Sequence, residues 1–179
     1  MKADEFVERL KALAPAKPVL LGCDYGDDEA LAFIESFVCQ SRAEPLSIES
    51  KGDSMLELLT KWDLSAVEIG PIGFHLEPEA FDNHMEIGTV EGDRLVFRPD
   101  TKDYFLLDSQ NLQHVMCKAA PNGDSLLEGL IEVANYYSKT AVEEIDIDDI
   151  SVGAEFKKKC VQAFGGSEYE SFCTSILGF

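Results

Sequence analysis

Apolar positions recur at helical spacing along the first third of the chain. Phe6, Val7, Leu10 and Leu13 fall on one stripe, with Asp4 and Glu5 ahead of them, where the helix dipole favours negative charge. The spacing predicts a helix over 4–13, ended by Pro15 and Pro18. PVLLG at 18–22 is a brief apolar run. Leu31, Phe33, Ile34, Phe37 and Val38 form the stripe of a second helix over 27–40, opened by Asp27, Asp28 and Glu29. A third is expected over 53–61, with Asp53 as its N-cap.

The period then changes. The runs 67–74, 85–92, 93–99, 103–108 and 113–119 are short, rich in β-branched and aromatic residues, and punctuated by Gly, Asp, Asn and Pro. Gly92-Asp93 and the segment Pro99-Asp100-Thr101-Lys102 have hairpin-turn chemistry. Strands this close in sequence pair antiparallel, because a parallel crossover needs about a dozen residues or more.

After Pro121 the helical period returns. Asn122-Gly123-Asp124 opens a long helix whose stripe is Leu126, Leu127, Leu130, Ile131, Val133 and Ala134, reaching Tyr136-Tyr137. An acidic segment follows at 140–150, then two short helices over 155–164 and 167–177, split by Gly165-Gly166. The expected fold class is α+β, an antiparallel β-meander sheet with helices packed on one side. We read one domain over 1–179: a helical section at about 1–62, a sheet core at about 65–120, and C-terminal helices at about 123–179.

Charge narrows the function. The 179 residues carry 34 Asp+Glu against 15 Lys+Arg, a formal charge of -19. Phosphate backbones and anionic membrane surfaces need basic counterparts, so direct binding to either is disfavoured. A basic protein partner is favoured. No apolar stretch approaches the ~18 residues of a membrane span, and the N-terminus has no signal-type apolar core. Cys23, Cys39, Cys117, Cys160 and Cys173 are scattered and form no CxxC pair. They read as reduced core thiols of a cytoplasmic protein, not as a zinc or disulfide framework.

Few constellations suggest chemistry. His75, His84 and His114 form no metal-ligating pair, and neither a nucleophile elbow nor a phosphate loop is present. Glu77, Glu79, Asp82 and Glu86 could hold an acid–base pair, although such clusters arise by chance at this density of carboxylates. We therefore expect no catalytic residues, no cofactor and no enzyme activity. The densest acidic run is Glu143, Glu144, Asp146, Asp148 and Asp149, alternating with Ile145, Ile147 and Ile150. It reads as a docking strip for lysines and arginines, with the isoleucines turned to the core. Lys157-Lys158-Lys159 then neutralise that acidic neighbourhood.

PVLLGCDYGDDEALAF at 18–33 resembles the calcium-binding fingerprint of nucleoside hydrolases, in which a strand precedes an aspartate cluster that opens a helix. Asp24, Gly26, Asp28 and Glu29 match, whereas Gly22 and Tyr25 stand where that family has aspartate and proline. The resemblance implies an alternative function, a calcium-dependent hydrolase with Asp24, Asp28 and Glu29 as metal ligands. It also implies a parallel sheet.

A second resemblance covers residues 53–138. Ile87-Gly88, Gly92-Asp93, Leu95-Val96-Phe97, Asp100, Tyr104-Phe105 and Asp108, followed by a helix like 125–137, resemble the SUKH superfamily of Smi/Knr-type domains. The LP and NGG segments usual near that family's N-terminal helices are not found here. The extension from 140 to 179 is similar to the tail of some members. The resemblance implies a binding module. Bacterial members are commonly immunity proteins that neutralise toxins, many of them nucleases, and fungal relatives are regulatory scaffolds. The leading expectation is thus an acidic immunity-type protein that binds a basic toxin domain, with a regulatory scaffold as the second alternative.

Overall fold

The structure is a computed structural model that describes residues 1–146 and 149–179. Three helices open the chain: α1 (Ala3–Leu13), α2 (Lys17–Gly22) and α3 (Asp27–Glu35). A short strand β1 (Gln40–Ser41) precedes α4 (Ser54–Lys61), and β2 (Trp62–Asp63) pairs antiparallel with β1. The main sheet holds β3 (Glu68–Ile69), β4 (Ile72–Phe81), β5 (His84–Val90), β6 (Asp93–Arg98), β7 (Asp103–Leu107) and β8 (Val115–Ala120). Its six strands lie in sequence order, every neighbour antiparallel. Then come α5 (Gly123–Ala141), α6 (Ile150–Phe164) and, after a 3-10 turn at Ser167–Tyr169, α7 (Glu170–Leu177).

The meander buries one face under the helices. Ile72, Phe74, Ile87, Leu95, Phe97, Tyr104 and Leu106 share a core with Phe6 and Leu10 of α1, Met55 and Leu59 of α4, and Leu127 and Leu130 of α5. Cys160 and Phe164 of α6 and Phe172 and Ile176 of α7 complete it. The architecture is α+β, as the change of period implied. The opposite face is not bare. Val96, Phe105 and Leu107 form a second buried cluster with Phe81, because β6 and β7 are apolar at every central position and so fill both faces. Arg98 lies 4.2 Å above the Phe105 ring and Arg94 5.5 Å from the Phe81 ring, and these cations cover the second cluster.

One carboxylate joins three elements. Asp53 caps α4 through the amides of Met55 and Leu56, accepts from Tyr104 on β7, and accepts from the Gly123 amide at the start of α5. A side chain at Gly123 would meet Asp53 Oδ1 at 2.3 Å, so the close approach requires glycine there. Gly88 of the IG pair has the same role in the sheet. Its Cβ would lie 2.2 Å from the Gly73 carbonyl oxygen across the β4–β5 ladder.

Several boundaries differ from the periodic reading. PVLLG is helical, since Pro18 sits in the first turn of α2, where its missing N–H costs nothing. α3 stops at Glu35, short of the expected residue 40, because Gln40 pairs with Asp63 and draws the chain into β1. β4 runs on past 74 to Phe81, with Pro78 tolerated where the ladder shifts register between Phe74 and Glu79. α5 extends to Ala141, and α6 starts at Ile150 instead of 155, capped by Asp149. Gly165 (φ 120°) and Gly166 (φ 115°) make the expected break before α7.

Candidate functional site

The acidic segment after α5 borders a cleft of mixed polar and apolar lining. Val142 ends the helix and Glu143 takes a left-handed backbone (φ 57°), which turns the chain back. The Glu143 amide donates to the Thr140 carbonyl and the Glu144 amide to the Lys139 carbonyl, so the turn satisfies the last helical acceptors. Glu143, Glu144 and Asp146 are exposed, while Ile145 between them is buried against the main core. An apolar side chain thereby anchors a loop of carboxylates.

Two members of the expected strip behave differently. Asp149 caps α6, accepting from the Ser151 amide at 2.9 Å and the Ser151 hydroxyl at 2.6 Å. Those bonds, the hydroxyl's first, hold its carboxyl below the ordinary value. Asp148 and Ile147 lie outside the described residues. The expectation that the isoleucines share one role is corrected at Ile150, which is 87% exposed. As the first residue of α6, it follows helical geometry and not the alternation of an extended segment.

Beside this strip lies a cleft of about 250 Å³. Leu13 from the end of α1, Pro15 from the link to α2, Val19 from α2 and Val142 from the end of α5 line it, with Lys139 and Glu144 among its polar members. Ser138 fixes one wall by donating to the Leu13 carbonyl at 2.5 Å. Val19 remains 49% exposed at the opening. The cleft was not legible in the sequence because it joins segments more than a hundred residues apart. A local sign is the run Ala14-Pro15-Ala16, which keeps side chains low along that edge.

The 22–29 carboxylates do not come together as a group of three. Asp24, Asp28 and Glu29 are all exposed, and Glu29 Oε2 is turned back to accept from the Gly26 amide at 2.9 Å. Among the described residues no group of three or more His, Cys, Asp or Glu side chains could hold a metal ion. The preceding segment is a helix and the sheet is antiparallel throughout, so the parallel strand-to-cluster arrangement implied by the hydrolase resemblance is absent. The fold which that resemblance implies is therefore not the fold of this chain.

The acids of the β4–β5 hairpin separate as well. Glu77, Glu79 and Asp82 face solvent, whereas Glu86 is buried on the outer sheet face between His75 Nε2 and Arg94 Nη1, both at 2.8 Å. This triad ties β4, β5 and β6 together, and its two nitrogen partners occupy both carboxylate oxygens. In the basic tract, Lys159 pairs with Glu155 at 2.8 Å and Lys157 with Glu170 at 3.8 Å. Among the described residues no helix is long and apolar enough to cross a membrane. The chain has no match among family models, curated proteins or solved structures.

Proposed function

We propose that this chain is an acidic protein-binding module that acts by covering a basic protein, in the manner of a bacterial immunity protein, and performs no catalytic step itself. The observation that carries this reading is the exposure of Glu143, Glu144 and Asp146 on one turn, with Glu144 at the border of a cleft that has both polar and apolar walls. Carboxylates in that position speed encounter with a basic surface, and the apolar wall of the cleft, Leu13, Val19 and Val142, takes an anchor that gives a complex its lifetime. The formal charge of -19 extends the same attraction over the rest of the surface.

The SUKH-type reading is part of this proposal. The Ile87-Gly88 pair sits in β5 and Gly92-Asp93 at the β5–β6 turn of an antiparallel meander, the arrangement that family resemblance calls for. A cytoplasmic location belongs to it too, supported by five cysteines that all stand as free thiols. The direct test mixes the full chain with the toxin domain encoded nearest its own gene. Complex formation with loss of toxin activity is the expected result. No complex and undiminished toxin activity would overturn the proposal.

A further inference from the structure

A cleft of about 190 Å³ opens where the turn before α4 meets the end of β6. Leu56 of α4, Met85 of β5, Phe97 of β6 and Pro99 line it, and Leu56 and Phe97 are buried members of the core. It shares no residue with the cleft beside Glu144. An apolar cavity of about 150 Å³ admits a benzene ring, so this cleft has room for one ring and little more.

Its charged members run against the character of the chain. Lys51, from the turn before α4, and Lys102, from the turn between β6 and β7, both line it, in a sequence with 34 Asp+Glu against 15 Lys+Arg. The carboxylates beside them are engaged. Asp53 accepts from the amides of Met55, Leu56 and Gly123 and from the Tyr104 phenol, and Glu49 pairs with Lys51 at 3.3 Å. Lys102 is exposed and has no ion pair among the described residues. A smaller cleft of about 130 Å³ is also lined by Lys51, Asp53 and Lys102, so the two lysines border both recesses. This charge decides the occupant. A basic protein segment would bring its lysines against Lys51 and Lys102, whereas an anion finds a cation free to receive it.

We propose that this cleft is a binding site for a small monocyclic carboxylate: the ring lies against Leu56, Met85 and Phe97, and the carboxylate, on a short arm, meets Lys102 with Lys51 beside it. Apolar walls with a few placed polar groups are the usual make-up of a small-molecule site. The Met85 side chain suits it, because a flexible thioether adapts to a ring. The site is separate from the acidic strip and does not depend on the acidic-module reading.

The test titrates the full chain, labelled for NMR, with phenylpropionate and with its neutral counterpart phenylpropanol. Phenylpropionate at millimolar concentration is expected to shift the amides of Leu56, Met85 and Phe97, and its ring protons to cross-relax with the Met85 methyl group. Phenylpropanol should occupy the same cleft about threefold more weakly, the scale of an exposed ion pair. K102Q should abolish that preference and bind the acid as weakly as the alcohol. Lys102 is exposed, so the variant keeps its fold, which its unchanged remaining spectrum verifies. No shift from either probe, or shifts centred elsewhere, overturns the site. Equal binding of acid and alcohol by the parent, or an undiminished preference in K102Q, overturns the anionic class of ligand. If a lysine-rich peptide moves the same amides and phenylpropionate does not, the cleft belongs to the protein partner and the proposal falls. None of these outcomes touches the acidic-module reading, which toxin binding tests.

Discussion

The phenol of Tyr104 donates to the carboxylate of Asp53 at 2.7 Å, and this buried bond links the centre of the sheet to the start of α4. Asp53 also holds the Gly123 amide at 2.9 Å, so sheet, α4 and α5 meet on one carboxylate. Tyr104→Phe removes a bond to a charged acceptor and should cost about 2 kcal/mol in denaturant unfolding. Asp53→Ala removes a cap and leaves the Tyr104 hydroxyl and Gly123 amide without a partner, at about 4 kcal/mol. Equal stability of the first variant and the parent would remove the bond from the account.

The same contact has a pH signature. Burial above all, then the charge of Asp53 and its hydrogen bond, hold the Tyr104 phenol well above its usual 10.0. A group whose pKa is raised by folding contributes stability that is intact below the unfolded value and lost as pH rises toward the folded one. The chain should therefore lose stability as pH rises from about 10 upward, and Tyr104→Phe should lose less over that range. Urea unfolding across that interval measures both slopes. Parallel slopes would contradict the assignment.

The thiols should divide by burial. Desolvation pushes Cys39, Cys160 and Cys173 up to about 12 and Cys117 to about 11, which leaves almost no thiolate at neutral pH. Cys23, at the end of α2, and Cys117, on β8, are both part-exposed. A disulfide reagent at about pH 8 should label Cys23 first, Cys117 more slowly because its thiol is raised to about 11, and Cys39, Cys160 and Cys173 only on unfolding. Rapid labelling of Cys39 or Cys160 in the folded chain would contradict the packing described.

From β5 onward the sheet was legible because each strand is bounded by its own turn residues, and the turns at Gly92 and Pro99 fix the register of β5, β6 and β7, whereas 67–74, read as one strand, is a hairpin of β3 and β4 turned at Gly70 (φ 58°). The caps at Asp53 and Asn122 were legible for a local reason: each needs only a side-chain oxygen two or three residues before an amide. Non-local choices were not. α2 and a strand look alike in five apolar residues, and the end of α3 is decided by pairing with Trp62–Asp63, more than twenty residues later. The site divided the same way. The acids at 143–146 could be named from the chain, but Ile150's exposure and the cleft at Val19 depend on packing.

Calcium provides a separate check. With Asp24, Asp28 and Glu29 exposed and not converging, micromolar calcium should leave the thermal unfolding midpoint where EDTA leaves it. A rise of several degrees specific to calcium would show that these carboxylates close on an ion and would undo the placement given to them.

The central claim is that the acidic strip selects a basic protein. Its most direct measurement is paired capture from an extract of the organism that encodes the chain, using the parent and E143Q/E144Q/D146N/D148N/D149N side by side near physiological salt. Asparagine at 149 still caps α6, so the variant keeps its fold. The account predicts a basic protein retained by the parent and lost from the variant. Retention of the same proteins by both would contradict it.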